Sequence, residues 1–193
     1  MRAEVMRMPS LSRAVALVGF FAAAIAARAE EAVPAVFNVR EGTLGYTITH
    51  KLHEVRGITH DFEGRVVVAP DGSARVQVRA KVATFDSGNS NRDEHMCEVT
   101  HEVEHPYCSV KGIATGVKLP LDAPRRIILA GTVELNGQRV SVEIPVGLTQ
   151  SGSRLRASFS FAVSLDDLKI QRPALLFVRV EDRLMIEGDL LLE

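Results

Sequence analysis

The chain reads as an all-β protein: an antiparallel up-and-down barrel of about eight strands with a short helical loop near the middle. Three observations carry that reading. Apolar and polar residues alternate with a period of two through most of the sequence, as strands that are wet on one face require. Turn formers such as Pro70-Asp71-Gly72, Asn136-Gly137 and Ser151-Gly152 punctuate the alternation at short intervals. No long amphipathic helix interrupts it, and no internal repeat of roughly 20–50 residues is visible. Strands that are apolar on one face hide that face and lose their edges by curling shut. About eight of them enclose room for side chains or one small ligand.

The first segment is set apart. Arg2, Arg7 and Arg13 precede an uncharged run over 14–27 that is shorter than the roughly 20 apolar residues of a bilayer span, and it ends in Ala27-Arg28-Ala29, an A-x-A cleavage site. Residues 1–29 are therefore expected to be a signal peptide cut after Ala29, with an uncleaved N-terminal anchor as the alternative. Residues 30–193 are then a periplasmic or secreted β domain. The full chain carries a formal net charge of -1. Losing Arg2, Arg7, Arg13, Arg28 and Glu4 moves it to about −4. Lys and Arg are scattered among acidic residues along the strands, with no basic stripe to track phosphates, so no nucleic-acid partner is expected.

In order, 36–40 and 44–49 read as the first strands, the second alternating Leu44, Tyr46 and Ile48 with Gly45, Thr47 and Thr49. His50, His53 and His60 bracket a chain reversal around Val55-Arg56-Gly57, and 62–69 follows as a strand closed by Pro70-Asp71-Gly72. Val76, Val78, Ala80 and Val82 alternate with Arg75, Gln77, Arg79 and Lys81, which fixes a wet face. Beyond the centre, 107–115 can form a strand. Ile127, Leu129, Gly131, Val133 and Leu135 share one face up to Asn136-Gly137, the strongest short hairpin signal, and Val140, Val142, Ile144, Val146 and Leu148 return on it. Ser151-Gly152 turns the chain into Leu155, Ala157, Phe159, Phe161 and Val163. Residues 165–170 read as a brief helical corner and 178–192 as the last strand, with Leu184, Ile186 and Leu190 inward.

The rhythm stops only at 84–96. Asp86, Ser87, Gly88 and Asn89 bond their own backbone or tolerate left-handed angles, so they close the preceding strand in a turn. Ser90 with Asp93 three positions on resembles a capping box and predicts a short helix. Just beyond, His95, Cys97, His101, His105 and Cys108 crowd together. In an oxidising compartment Cys97 and Cys108 read first as a disulfide, worth roughly 3 kcal/mol through loop closure, with two free buried thiols as the alternative. The same residues include the nitrogen and sulfur ligands of zinc and copper, though their spacing fits no standard finger. No nucleophile elbow, H-E-x-x-H helix, phosphate loop or dinucleotide turn is present, so neither enzyme nor cofactor is expected.

Asp86-Ser87-Gly88-Asn89, Arg92-Asp93, His95-Met96 and Pro106 resemble the signature of the YceI-like family. Further matches lie at His50, Val55-Arg56-Gly57 and Phe62-Glu63-Gly64, then at Leu168-Lys169-Ile170, Pro173 and Val180-Glu181-Asp182-Arg183-Leu184, covering the chain from about Phe37 onward. The family usually carries aromatic residues between the Arg-Asp-x-His loop and the proline, where this chain has Val99, Thr100, His101, Glu102 and Val103. The resemblance implies an exported, lipocalin-like barrel that holds a polyisoprenoid or other long-chain lipid, such as a quinone or polyprenyl lipid, without catalysis. It implies transient contact with a membrane and leaves the oligomeric state open. On this reading Leu44, Tyr46, Ile48, Val78, Ile127, Leu129, Val142, Ile144, Phe159, Phe161 and Ile186 line the interior, and Arg56, Arg92 and His95 stand at the rim for the headgroup. Alternatives from other classes are a metal- or redox-responsive exported protein built on 95–108 and a structural barrel with a filled interior.

Overall fold

In the computed structural model, which describes residues 33–50, 53–172, 174–175, 178–179 and 181–193, the alternating segments join into one antiparallel sheet that closes on itself. The expected signal peptide lies outside the described residues. The strands are β1 (Ala35–His50), β2 (His53–Thr59), β3 (Phe62–Val68), β4 (Ala74–Lys81), β5 (Tyr107–Ala114), β6 (Arg125–Leu135), β7 (Gln138–Ser151), β8 (Arg154–Val163) and β11 (Leu184–Leu192). A separate two-residue pair, β9 (Ala174–Leu175) and β10 (Val178–Arg179), precedes β11. Neighbours run β1-β3-β4-β5-β6-β7-β8-β11, and β11 returns to β1 from Val39↔Leu192 to Ile48↔Leu184. Because β2 and β3 pair with successive stretches of the same β1, they fill one position in the wall, and the closed barrel has eight.

Two expectations along β1 and β2 are corrected. The predicted strands 36–40 and 44–49 are a single bent strand, because a register irregularity between Val39 and Glu41 lets the chain swing from β3 to β2 without stopping. Gly42 takes φ +130 at the bend, where a Cβ would lie 2.1 Å from the Asp189 carbonyl oxygen, so only glycine fits. The Val55-Arg56-Gly57 motif is not a reversal. It sits inside β2, paired with Ile48, Thr47 and Tyr46, and the β1–β2 ladder runs on to His50↔His53.

Closure sorts the side chains. Val39, Val66, Leu129, Ile144, Leu155 and Leu190 are buried inside. The outer rows are polar, as in Asn38, Arg65, Gln77, Lys111, Thr132 and Ser141, which register pairing places in one line across β1, β3, β4, β5, β6 and β7. A membrane barrel carries the opposite pattern, with an apolar band facing out. One inward row thins to backbone: Gly112 and Gly131 face each other between Val76 and Val142.

One end of the barrel is covered by the segment that broke the rhythm. Helix α1 (Ser90–Val99) follows the 86–89 turn and is capped by Asn89, whose Oδ1 accepts from the Arg92 N–H at 3.2 Å. The expected Ser90–Asp93 box is thus displaced by one residue, and Asp93 accepts the Ser87 N–H instead, at 3.1 Å. The corner after β8 is a stack of turns over 164–170, closed by Ile170 N–H to Leu165 O at 2.9 Å with Lys169 left-handed, rather than a helix. Asn136 and Gly137 take φ 52 and 67, the type I′ hairpin geometry that their sequence predicts.

Where Gly112 and Gly131 meet, a Cβ on Gly112 would lie 2.6 Å from the Ala130 carbonyl oxygen, backbone that cannot step aside. Gly112→Ala is expected to cost about 1–3 kcal/mol of unfolding free energy in a urea titration. An unchanged midpoint would show that β5 and β6 are not held this close.

Candidate functional site

The barrel is hollow. A cavity of about 350 Å³ runs through its centre and is walled mainly by apolar side chains, most of them aliphatic. This lies within the range of small-ligand pockets, which span roughly 300–1,000 Å³. Nine of the expected lining residues reach it: Leu44, Tyr46, Ile48, Val78, Ile127, Leu129, Ile144, Phe159 and Ile186. Val142 and Phe161 do not. They share the inward phase but are packed in the core on either side of the place where β7 and β8 part, since the β7–β8 ladder spans only Val146↔Phe159 to Ser151↔Arg154.

The helix adds lining that strand phase could not reveal. Arg92, His95, Met96 and Val99 stand at i, i+3, i+4 and i+7, one face of α1, and all four border the cavity. The far end is closed by Val117, 2% exposed, whose N–H is held by Gly72 O at 2.9 Å. The i+3/i+4 stripe is legible in the sequence, but its weak apolar character hides it.

Tyr46 brings a phenol to the wall. Its ring lies over Gly57 so closely that a Cβ there would fall 2.3 Å from Tyr46 Cε1, which explains the glycine of the Val55-Arg56-Gly57 motif. It also tilts against Phe85 at 5.7 Å between ring centroids. Burial, with the Asp93 carboxylate adding to it, pushes the phenol from 10.0 to about 12.

Arg92 and His95 border the cavity, yet Arg92 also has a fastening task. Its Nη2 donates to Ser87 O at 2.9 Å while Asp93 holds the Ser87 N–H. The turn is pinned again from the wall, where Ile58 and Asp86 exchange backbone bonds, both 2.9 Å. His95 lies 3.4 Å from Glu98 on the same helix. Arg56 is not at this rim. Pairing with Thr47 puts it in the outward phase, where it forms an ion pair with Glu187.

The expected disulfide is absent, and both cysteines are free thiols. Cys108 points into the cavity from β5, its Sγ donating to Ala80 O at 3.6 Å, and burial pushes its pKa to about 11. Cys97 lies on the other side of α1, in a shallow surface hollow with Asp93, Glu94 and Glu98. Desolvation, then Glu102 and Asp93, raise its pKa too. The histidines are similarly dispersed. His101 Nδ1 donates to Asn136 Oδ1 at 2.7 Å, tying the lid to the β6–β7 turn, and His105 packs over Gly137. Among the described residues no three His, Cys, Asp or Glu side chains come together as a metal site.

The comparisons agree with this geometry. The model of the YceI-like domain matches residues 36–191. No curated protein matches the chain. Among solved structures, a polyisoprenoid binding domain from Saccharophagus degradans, implicated in plant cell wall breakdown, superposes with a TM-score of 0.65 at 13% identity, over 81% of this chain and 97% of that one. BcnA of Burkholderia cenocepacia gives 0.65 at 15% identity, over 78% and 95%. The Campylobacter jejuni YCEI protein gives 0.52 at 14% identity, over 73% and 88%. At these identities the likeness is one of fold.

Two outcomes test the site chemistry. In a spectrophotometric titration of the folded protein, one phenol should ionise near pH 12 and vanish in Tyr46→Phe. Since the folded-state value is raised above 10.0, the protonated phenol supports the fold below that pH and the support is lost as pH rises toward 12. Wild type should therefore lose stability more steeply than Tyr46→Phe over that window. With a thiol reagent on reduced protein, Cys97 should react first and Cys108 only on unfolding. Two equally fast thiols would contradict the placement of Cys108.

Proposed function

We propose, from the premise that this chain belongs to the YceI-like family, that its barrel carries or buffers a polyisoprenoid, such as a quinone or polyprenyl lipid, outside the cytoplasm. The single observation behind this reading is the aliphatic cavity left open along the barrel axis. A void of about 350 Å³ forfeits roughly 8 kcal/mol of packing at about 24 cal/mol per Å³. That is comparable to the roughly 5–15 kcal/mol stability of a whole domain. Filling it needs only larger side chains, so a purely structural barrel has no reason to stay hollow. A hydrocarbon chain recovers the loss at about 0.8 kcal/mol per buried CH₂ and asks for no polar contacts along its length.

The superposed Saccharophagus degradans domain is a polyisoprenoid binder, which supports the ligand class. Arg92, His95 and the Tyr46 hydroxyl, at the lid end of a mainly apolar wall, are the groups that orient a polar head. The chain is bound, not transformed. The positively charged, apolar, A-x-A-terminated start of the sequence supports export of the barrel to a periplasmic or secreted location. The dispersed histidines and cysteines give the metal-responsive alternative no assembled site among the described residues.

Paired native and denaturing mass spectrometry, on protein exported into a periplasm and purified without detergent, tests the reading. An organic mass that leaves on denaturation and partitions into solvent is the expected result. A protein that arrives empty and takes up no polyprenyl alcohol or quinone contradicts it. Val78→Phe, which projects a ring into the cavity, is expected to weaken uptake about five-fold or more, since over-packing a wall costs about 1–3 kcal/mol. Uptake equal to wild type would place the ligand elsewhere.

A further inference from the structure

A second concavity, of about 570 Å³, lies on the outer face where β7, β8, β11 and β1 run side by side. Outward residues such as Arg126, Gly147, Ser158 and Ser160 border it. Its floor includes Val146 and Phe159, and these two also line the central cavity. At this point the groove and the barrel interior share wall residues.

The wall there is built differently from the rest. Val146↔Phe159 is the topmost pair of the β7–β8 ladder. One residue above it stands Pro145, which has no N–H to give a neighbouring strand. Beyond it β7 pairs only with β6, and β8 from Ser160 onward only with β11. In place of a ladder, this seam has the corner after β8. Leu165 and Ile170 reach the interior, Leu168 is fully buried, and its carbonyl is held at 3.0 Å by the Asn136 side chain of the β6–β7 turn. On the other side of Phe159, a Cβ on Gly188 would lie 2.4 Å from its ring, so the ring occupies space that only a glycine leaves.

We propose that this seam is a lateral portal, and that the isoprenoid chain enters and leaves the barrel through it by displacement of Phe159. The proposal rests on the carrier reading above. Opening the seam at Phe159 disturbs apolar side-chain contacts that an apolar chain replaces in kind, while the Asn136 hydrogen bonds to the Leu168 and Lys169 carbonyls keep the neighbouring corner in place. Opening the lid end instead breaks the Ile58–Asp86 backbone pair, the Arg92 and Asp93 bonds to Ser87 and the His101–Asn136 bond.

The test is stopped-flow fluorescence with all-trans-retinol, a fluorescent isoprenoid alcohol, on the full barrel. Ser160→Trp fills the groove from outside without reaching the interior, since Ser160 pairs with Glu187 in the outward phase. It should slow both uptake and release by about ten-fold while leaving the equilibrium affinity unchanged, the signature of a blocked path rather than a damaged site. As protection against misfolding of that variant, Ser160→Cys in a Cys97→Ser, Cys108→Ser background is measured before and after coupling to a bulky maleimide, and coupling should produce the same slowing. Rates that do not respond to either block, with binding intact, overturn the portal alone. Failure of the unmodified protein to bind retinol, geranylgeraniol or a quinone at all overturns the carrier reading and the portal with it.

Discussion

The structure depends on keeping the inner face of one sheet apolar while leaving its centre unfilled. Period-two alternation supplies the apolar face, and closure of β11 on β1 removes the edges that would otherwise expose it. What keeps the centre open is the choice of side chains. Valine, alanine and glycine dominate the middle rows, where Val76, Gly112 and Gly131 stand in line, and no tryptophan occurs anywhere in the chain. An aliphatic wall of this kind repels water and recognises a hydrocarbon by area alone, so selectivity among chains should be loose and discrimination should come from the ends.

The two ends and the side are closed by different interactions. The lid is fastened by directional bonds that converge on Ser87, Asp86 and Asn136, which is why its short, polar, weakly amphipathic helix stays in place despite burying no residue completely. The floor is held by Val117, bonded to Gly72. The seam between β7 and β8 has no ladder above Val146; packed leucine, isoleucine and phenylalanine side chains close it, with the Asn136 side chain holding the Leu168 carbonyl of the corner. The proposed carrier role requires one weak closure, and hydrogen-bonded elements resist local opening more than apolar contacts that a ligand can substitute.

Most of this was legible in the sequence where one rule acted alone. Strand phase placed Leu44, Tyr46, Ile48, Val78, Ile127, Leu129, Ile144, Phe159 and Ile186 on the cavity, and Asn136-Gly137 gave the hairpin. It failed where tertiary constraints competed. Val142 and Phe161 obey the same phase, but divergence of β7 and β8 takes them off the cavity, and the signal for that divergence was Pro145 inside an otherwise regular strand. Arg56 was drawn to the rim by its motif, whereas alternation with Val55 and Gly57 turns it outward. Cys97 and Cys108 are close in sequence, yet one sits on a helix and the other on a strand facing inward, and spacing alone cannot show on which sides of α1 they lie.

The central claim is that a dry, preformed cavity binds an isoprenoid chain by burial. Isothermal titration calorimetry of delipidated protein with geranylgeraniol, repeated across temperature, tests it most directly. One ligand per chain with a clearly negative heat-capacity change is the predicted result, because removal of apolar surface from water has that signature. Saturable binding with no heat-capacity change, or no binding by protein shown to be empty and folded, would contradict the account.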